Sequence, residues 1–426
     1  MKRPPPKMKM FKIRKQLEYL CAGCILLAFL MLRIEPHSHR LFAQTASIPT
    51  PQAEQDRSHY AGDAECERCH RDQAKSFTRT AHHLTSQPAT MQTVMGSFTS
   101  PQNLLTISDS GKDISDAHLY FQMDARAEGM FETAIAEMGP KKLTHAEKID
   151  LVIGSGVRGQ SYLYWRDNQL FELPVSYWTE GHQWINSPGY EDGTANFTRP
   201  AGSRCIECHA TYIHALSTDP QSNRYDRNSL VPGISCEVCH GPGKAHVTQE
   251  QAQPHPSRKP APTIFNPAKF ERDRQIDQCA LCHNGTTRAE LSGAFSYTPG
   301  QPLDRYFAPA LLNPSGQPDV HGNQVGLLER SHCFLSSPAM TCSTCHDVHA
   351  PERSAADYSS RCLSCHQWQS CGEAKKIGPR IVDNCIDCHM PLQQTQAIVS
   401  VTAGRVLRTS IRTHWIKIYS QTIPVQ

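Results

Sequence analysis

The pattern of apolar and polar positions changes several times along the 426 residues. A basic opening, MKRPPPKMKMFKIRK, runs into an apolar stretch from Tyr19 to Leu32. As a helix at about 1.5 Å per residue this stretch spans roughly 21 Å, short of the ~30 Å hydrocarbon core, so it reads as a signal-peptide region and not as a full transmembrane helix. Residues 1–43 are expected to be a signal peptide cleaved after Ala43 or a retained signal anchor that ties the chain to the membrane. Leu41 is a poor residue two positions before that cut and RIEPHSHR is a long polar connector, so both outcomes stay open. In either case the positive flank stays inside, and the bulk of the chain is exported to the periplasm or the outer face of the cytoplasmic membrane.

Residues 60–90 predict a helix-rich segment. Residues 91–200 differ: HLYFQM (His118 to Met123) and Ser161 to Trp178 are rich in aromatic and branched side chains, and Arg166-Asp167-Asn168-Gln169 supplies a polar turn, which together predict a β-hairpin. Between these runs Thr144 and Glu147 form a Thr-x-x-Glu capping box ahead of Ile149, Val152 and Ile153, which predicts a short helix over Leu143–Ile153. Gly154, Gly156 and Gly159 follow. Without a βαβ unit or a later ribose-binding acid they predict a tight turn and not a phosphate loop.

The cysteines sharpen this division. Fourteen of the 18 fall into seven copies of Cys-x-x-Cys-His: Cys66/Cys69/His70, Cys205/Cys208/His209, Cys236/Cys239/His240, Cys279/Cys282/His283, Cys342/Cys345/His346, Cys362/Cys365/His366 and Cys385/Cys388/His389. This is the attachment sequence of c-type haem. Two thiols add to the vinyl groups on one porphyrin edge, and the next residue turns its imidazole under the ring as the proximal iron ligand. Paired Cys-x-x-Cys also builds zinc sites, but zinc does not need a His after every second Cys. Nor would a disulfide framework repeat one pentapeptide seven times. Seven covalent haem c groups are therefore expected. Cys21-x-x-Cys24 carries Ile25 in place of His and lies in the apolar run, which excludes it. Cys333 and Cys371 have no motif; in an oxidising compartment they are expected to form a disulfide, the alternative being two buried free thiols.

One motif stands at 66–70 and six lie within 205–389. The expected organisation is a first haem segment at 60–90, a haem-free β-rich segment at 91–200, a six-haem domain at 201–395 and a C-terminal tail at 396–426. The domain should alternate short helical pieces with Pro/Gly-rich connectors such as 254–267. The expected fold class is mainly α and loop-rich, with a small β-rich insertion between the first and second haem motifs. So many motifs leave little room for a side-chain core, so the porphyrins should supply much of the interior and the apoprotein should be largely unfolded.

The sixth coordination position separates an electron carrier from a catalyst, because a second histidine closes the iron and an empty position admits substrate. His246 lies six residues after His240 and His349 three after His346. Neither can reach the far face of its own porphyrin, so each is expected to ligate a neighbouring haem. His214, His82 or His83, His332 and His414 are further candidates, and a surface or propionate-bonding role is the alternative for each. His255, in a Pro-rich linker, fits that alternative best. Met390 directly follows His389, which excludes it from that haem.

Charge narrows the partners. The formal net charge is +3, but residues 1–40 hold nine Lys/Arg against two Glu, which leaves about −4 for the remainder. With no basic face beyond residue 40, nucleic acid is not an expected partner.

The order of features resembles the multihaem cytochromes related to cytochrome c-554 of nitrifiers, themselves similar in haem packing to hydroxylamine oxidoreductase and ammonifying nitrite reductase. The matching stretches are Tyr60-Ala-Gly-Asp-Ala-Glu-Cys66-Glu-Arg-Cys69-His70, Ile153-Gly-Ser-Gly-Val-Arg-Gly-Gln-Ser-Tyr162-Leu, Ser187-Pro-Gly-Tyr190, Gly233-Ile-Ser-Cys236-Glu-Val-Cys239-His240-Gly-Pro-Gly, Thr341-Cys342-Ser-Thr-Cys345-His346-Asp-Val-His349 and Asn384-Cys385-Ile-Asp-Cys388-His389-Met390-Pro391. The resemblance implies a mainly helical fold with stacked haem pairs. The ammonifying reductase uses Lys in place of one motif His, and all seven motifs here end in His, which argues against that activity.

The expected function is electron transfer through closely packed, mostly bis-His haems, with redox proteins or membrane quinol-linked donors as partners. The alternative is a periplasmic oxidoreductase acting on a small nitrogen or sulfur compound at one five-coordinate haem, with His182 or Tyr190 as proton donors.

Overall fold

The computed structural model describes residues 57–107, 117–219, 221–252, 261–285, 288–308, 322–351 and 353–419. The expected leader, Cys21, Cys24 and His255 lie outside the described residues. Strands run through 86–200 as β1 (Ser86–Pro88), β2 (Leu104–Thr106), β3 (Ala117–Arg126), β4 (Gly129–Met138), β5 (Lys141–Lys148), β6 (Leu151–Ile153), β7 (Gly159–Arg166), β8 (Gln169–Glu172), β9 (Val175–Trp178), β10 (Gln183–Asn186) and β11 (Arg199–Pro200). Strands β2-β3-β4-β5 make one sheet; β1-β6-β7-β8-β11 make another, to which β9 and β10 are joined through β7.

Alternation places the core. In β3, Phe121 and Met123 are fully buried while Tyr120, Gln122 and Asp124 between and beyond them are partly exposed, as a period of two requires. Both join Val152, Tyr162, Leu173 and Val175 of the second sheet and its connections in one hydrophobic cluster. The predicted polar turn closes β7 onto β8, with Arg166 opposite Gln169 and Asp167 in the left-handed region at φ 54°. Gly154, at φ 100°, makes the tight turn after β6, where a Cβ would meet the Gly159 carbonyl oxygen at 2.7 Å.

Two expectations are overturned. Leu143–Ile153 is not a helix: it lies in β5 and β6, with Thr144 opposite Ile135 and Glu147 opposite Glu132 of β4. Glu147 is used across the sheet, 2.9 Å from Arg166, and does not cap a helix. One capping box is worth about 1 kcal/mol, less than an eight-residue antiparallel ladder supplies. The chain is also not mainly α, since helix and strand make up about 30% and 29% of the described residues. Beyond the β-rich segment, two hairpins add strand: β12 (Ala210–Ala215) with β13 (Tyr225–Pro232), and β14 (Leu392–Thr402) with β15 (Arg405–Arg412). The last turns through Ala403-Gly404, both at positive φ. Helices are short and gather at the motifs, the longest being Arg272–His283 at 12 residues. Among the described residues no helix is long and apolar enough to cross a membrane.

Candidate functional site

Four of the motifs close on the same turn. The His70 N–H donates to the Cys66 carbonyl at 2.9 Å, and His346 to Cys342, His366 to Cys362 and His389 to Cys385 repeat this four-residue closure. Among the described residues no three His, Cys, Asp or Glu side chains converge as a zinc site would need.

The motif thiols are not equally enclosed. Cys365 is exposed, as are Cys69 and Cys205, whereas the other eleven motif cysteines are half-buried. The sixth motif starts in the last turn of the helix Ala355–Leu363, whose buried residue is Ser359, so Cys362 still leans toward the core. Cys365 lies past the helix end, where its Sγ is 3.8 Å from the Ser364 Oγ and faces solvent. It remains close to the fifth motif: burial, then Cys333, pushes the Cys345 thiol up, and Cys365 adds to the same upward shift.

Four motif histidines face a second imidazole. The ring centroids of His70 and His246 are 6.5 Å apart, those of His240 and His349 6.1 Å, and those of His346 and His414 6.1 Å, with interplanar angles of 23°, 22° and 18°. His82 and His283 stand 6.0 Å apart at 78°. Two imidazoles on opposite sides of one metal ion, each bonded at about 2 Å, bring their centroids to roughly 6 Å. The spacing therefore fits an iron between each pair.

Protonation suits the same role. His240 Nδ1 donates to the Phe265 carbonyl at 2.9 Å, His389 Nδ1 to the Lys417 carbonyl at 3.0 Å and His414 Nδ1 to the Arg412 carbonyl at 3.3 Å. Each bond fixes the proton on Nδ1 and leaves the Nε2 lone pair for a metal. Burial, then His346, lowers His82; burial, then His240, lowers His349; burial, then His346, pushes His414 down to about 4. All three rings stay neutral at neutral pH.

The pairs interlace the motifs. His246, just after the third motif, faces the first motif's His70, and His349, just after the fifth, faces the third motif's His240. Thiols of different motifs also lie within hydrogen-bonding reach: Cys66 with Cys236, Cys208 with Cys282 and Cys279 with Cys342. Between the cysteines of the third motif, buried Glu237 takes three backbone N–H bonds, Ala61 (2.8 Å) and Gly243 (2.8 Å) on Oε1 and Gly62 (2.9 Å) on Oε2. Asp63 accepts from the Cys236 N–H at 3.1 Å. These carboxylates clamp the first motif to the third. Sequence reasoning missed them, because an acid inside Cys-x-x-Cys carries no signal of its own.

Other candidates are placed elsewhere. His214 lies on β12 opposite Asp226, and His332 Nδ1 is 2.9 Å from Ser336 Oγ. His209 Nδ1 is 2.8 Å from Thr85 Oγ1. Among the described residues no imidazole stands across from His366 or His389. Cys333 and Cys371 are unbonded. Cys333 is felt electrostatically at Cys345 and Cys362, whereas Cys371 is felt at Cys388, and the expected disulfide is not formed in the structure. The Tyr190 hydroxyl donates to the Glu172 carbonyl at 2.7 Å and His182 is exposed, so the two do not converge on a pocket.

Residues 180–241 match the family model for cytochrome c554 and c-prime. A stretch of 105 residues is 30% identical to the C-type polyheme cytochrome OmcB of Geobacter sulfurreducens, in strains DL-1/KN400 and PCA alike. The match spans 23% of this chain and 12% of that relative's length. Among solved structures, the outer cell wall cytochrome OcwA shares the fold with a TM-score of 0.50 at 16% identity, over 84% of this chain and 80% of OcwA. The family-model match and the OmcB stretch liken this chain to c-type, multihaem cytochromes, and the OcwA likeness shows the fold alone.

Proposed function

We propose that this chain is an exported heptahaem c-type cytochrome that passes electrons along closely packed, mostly bis-His haems to and from redox proteins or quinol-linked membrane donors. The four facing imidazole pairs carry this reading. Haem c supplies a one-electron carrier at each motif when bound. The chain's own residues bind, close and space those carriers. The paired thiols of each motif would hold the haem covalently, and the motif histidine with its facing partner would both ligate its iron, which would leave no site for a small substrate and favour electron transfer over catalysis. The carbonyls of Phe265, Lys417 and Arg412 fix ring orientation. Because His246 and His349 serve centres other than those beside them in sequence, adjacent centres are tied at short, fixed separations. His83, His214 and His332 are proposed to supply the sixth ligands of the three remaining centres, those of His209, His366 and His389. The exposed thiols Cys69 and Cys365 would bring their haems next to solvent, where a redox protein can approach.

Mass spectrometry of the matured protein is expected to show the polypeptide plus seven covalent haems, and electron paramagnetic resonance of the oxidised form only low-spin iron. A colourless product of polypeptide mass refutes the reading. A high-spin signal near one per molecule replaces it with the oxidoreductase of small nitrogen or sulfur compounds.

A further inference from the structure

We propose that Glu172 is a proton-accepting site coupled to the second motif, so that an electron reaching the Cys205/Cys208/His209 centre is accompanied by a proton. This rests on the haem reading of that motif and extends it.

Strand pairing creates the juxtaposition. Glu172 closes β8 directly opposite Arg199 of β11, and the chain leaves β11 to enter helix Ser203–His209, which carries the second motif. Arg199 Nε lies 3.3 Å from Glu172 Oε2. Burial, then the charge of Glu172, pushes the Cys205 thiol up, so the carboxylate and the porphyrin-anchoring sulfur sit within electrostatic range. On its other side is Glu132, on the core face of β4 and 1% exposed. Glu132 Oε1 accepts from the Val175 N–H at 2.9 Å, and its Oε2 has no partner. The titratable and charged groups facing Glu172 are thus Arg199 on β11, Cys205 on the motif helix, Tyr190 in the loop after β10 and Glu132 on β4. Arg199 faces half-buried Glu172, while the charge of Glu172 adds to the burial that keeps the Glu132 carboxyl protonated.

Burial moves Glu172 up to about 7 against the opposing pull of Arg199. Its side chain is still 20% exposed, which gives the proton a route to water. Glu207, inside the motif itself, is closed to water and already engaged by Arg204. Reducing the neighbouring iron removes one positive charge and favours the neutral acid. The step balances as one electron from a reduced donor protein and one proton from water, forming the carboxyl O–H bond of Glu172. Reoxidation by an acceptor protein releases both.

The test is a spectroelectrochemical titration of the haem-loaded protein across about three pH units centred on neutrality. One centre is expected to change its reduction equilibrium by up to tenfold per pH unit, about 59 mV for one electron. Glu172→Gln is expected to abolish that dependence with haem content and low-spin signals unchanged. Arg199→Gln, which removes the opposing cation, is expected to move the window to higher pH. A pH dependence that survives Glu172→Gln, a window that Arg199→Gln leaves in place, or a wild-type protein with no pH-dependent centre overturns the proposal. Should Glu172→Gln not fold, the Arg199→Gln window decides alone. Haem content is measured first: protein without haem defeats the seven-haem reading, whereas fully loaded protein with pH-independent potentials defeats only the proton coupling.

Discussion

Replacing Glu237 by Ala removes the carboxylate that holds residues 61–62 and Gly243 together. Three hydrogen bonds to a charged acceptor contribute roughly 1.5–3 kcal/mol each, some 5–9 kcal/mol together. Desolvating the carboxylate offsets several kcal/mol of this, which leaves a net loss of about 3–5 kcal/mol when it is deleted. That is a large share of the 5–15 kcal/mol typical of a folded domain. The loss also has a local consequence, because the clamp joins the helix that presents His70 to the loop that leads into His246. Glu237→Gln keeps Oε1 and its two N–H bonds but turns an amide N–H toward Gly62, so it is expected to cost about half as much. Urea unfolding of the haem-loaded variants, followed by far-ultraviolet circular dichroism, measures both changes as a lower midpoint at constant slope. A Glu237→Ala loss below about 1 kcal/mol would refute the clamp.

The crossed pairing makes a countable prediction: His246→Ala with His349→Ala should produce two high-spin haems by electron paramagnetic resonance, whereas one would mean that both histidines serve the same centre. The His82–His283 pair, at 78°, should give a more anisotropic low-spin signal than the three near-parallel pairs, and its absence from the spectrum would argue against that pairing. Asn186 is 1% exposed and donates from Nδ2 to the Val401 carbonyl at 2.7 Å. Asn186→Ala should therefore cost about 2–3 kcal/mol, loosen the β14–β15 hairpin and raise high-spin iron at the His346–His414 pair on warming; an unchanged spectrum and midpoint would show that the hairpin does not position His414. Burial holds the Glu132 carboxyl well above the carboxylate range. The native state thus keeps a proton that the unfolded chain releases near pH ~4.3, and stability is full below that pH and falls as pH rises toward the folded value. Glu132→Gln should flatten this decline in urea midpoints measured from acid to neutral pH, and an unchanged slope would assign the decline to other groups.

Local chemistry was legible in the residues themselves. Seven repeats of one pentapeptide announce their own function, because two thiols and an imidazole at that spacing bind one porphyrin edge in any fold. The β7–β8 hairpin was equally readable, since its polar turn and flanking aromatic runs are contiguous. Leu143–Ile153 was misread because a capping box is a local preference and β4, which overrides it, is distant information. Exposure was hidden for the same reason: Cys362 and Cys365 look alike in the motif, and only the helix end between them turns the second outward. The terminal hairpin left its mark in Val-Ser-Val-Thr-Ala-Gly, an alternating run before a two-residue turn, but its length hides among loop residues.

The sequence alone determined which side chains can hold haem and how many motifs there are. Only the tertiary structure decided that the neighbouring centre His246 faces is that of His70, that His414 crosses to His346 from beyond a hairpin, and that Glu237 ties two motifs together. Attachment is a matter of neighbours along the chain, whereas the second imidazole must come from another segment. Its identity is fixed by strand pairing and by buried carboxylates whose partners lie more than a hundred residues away.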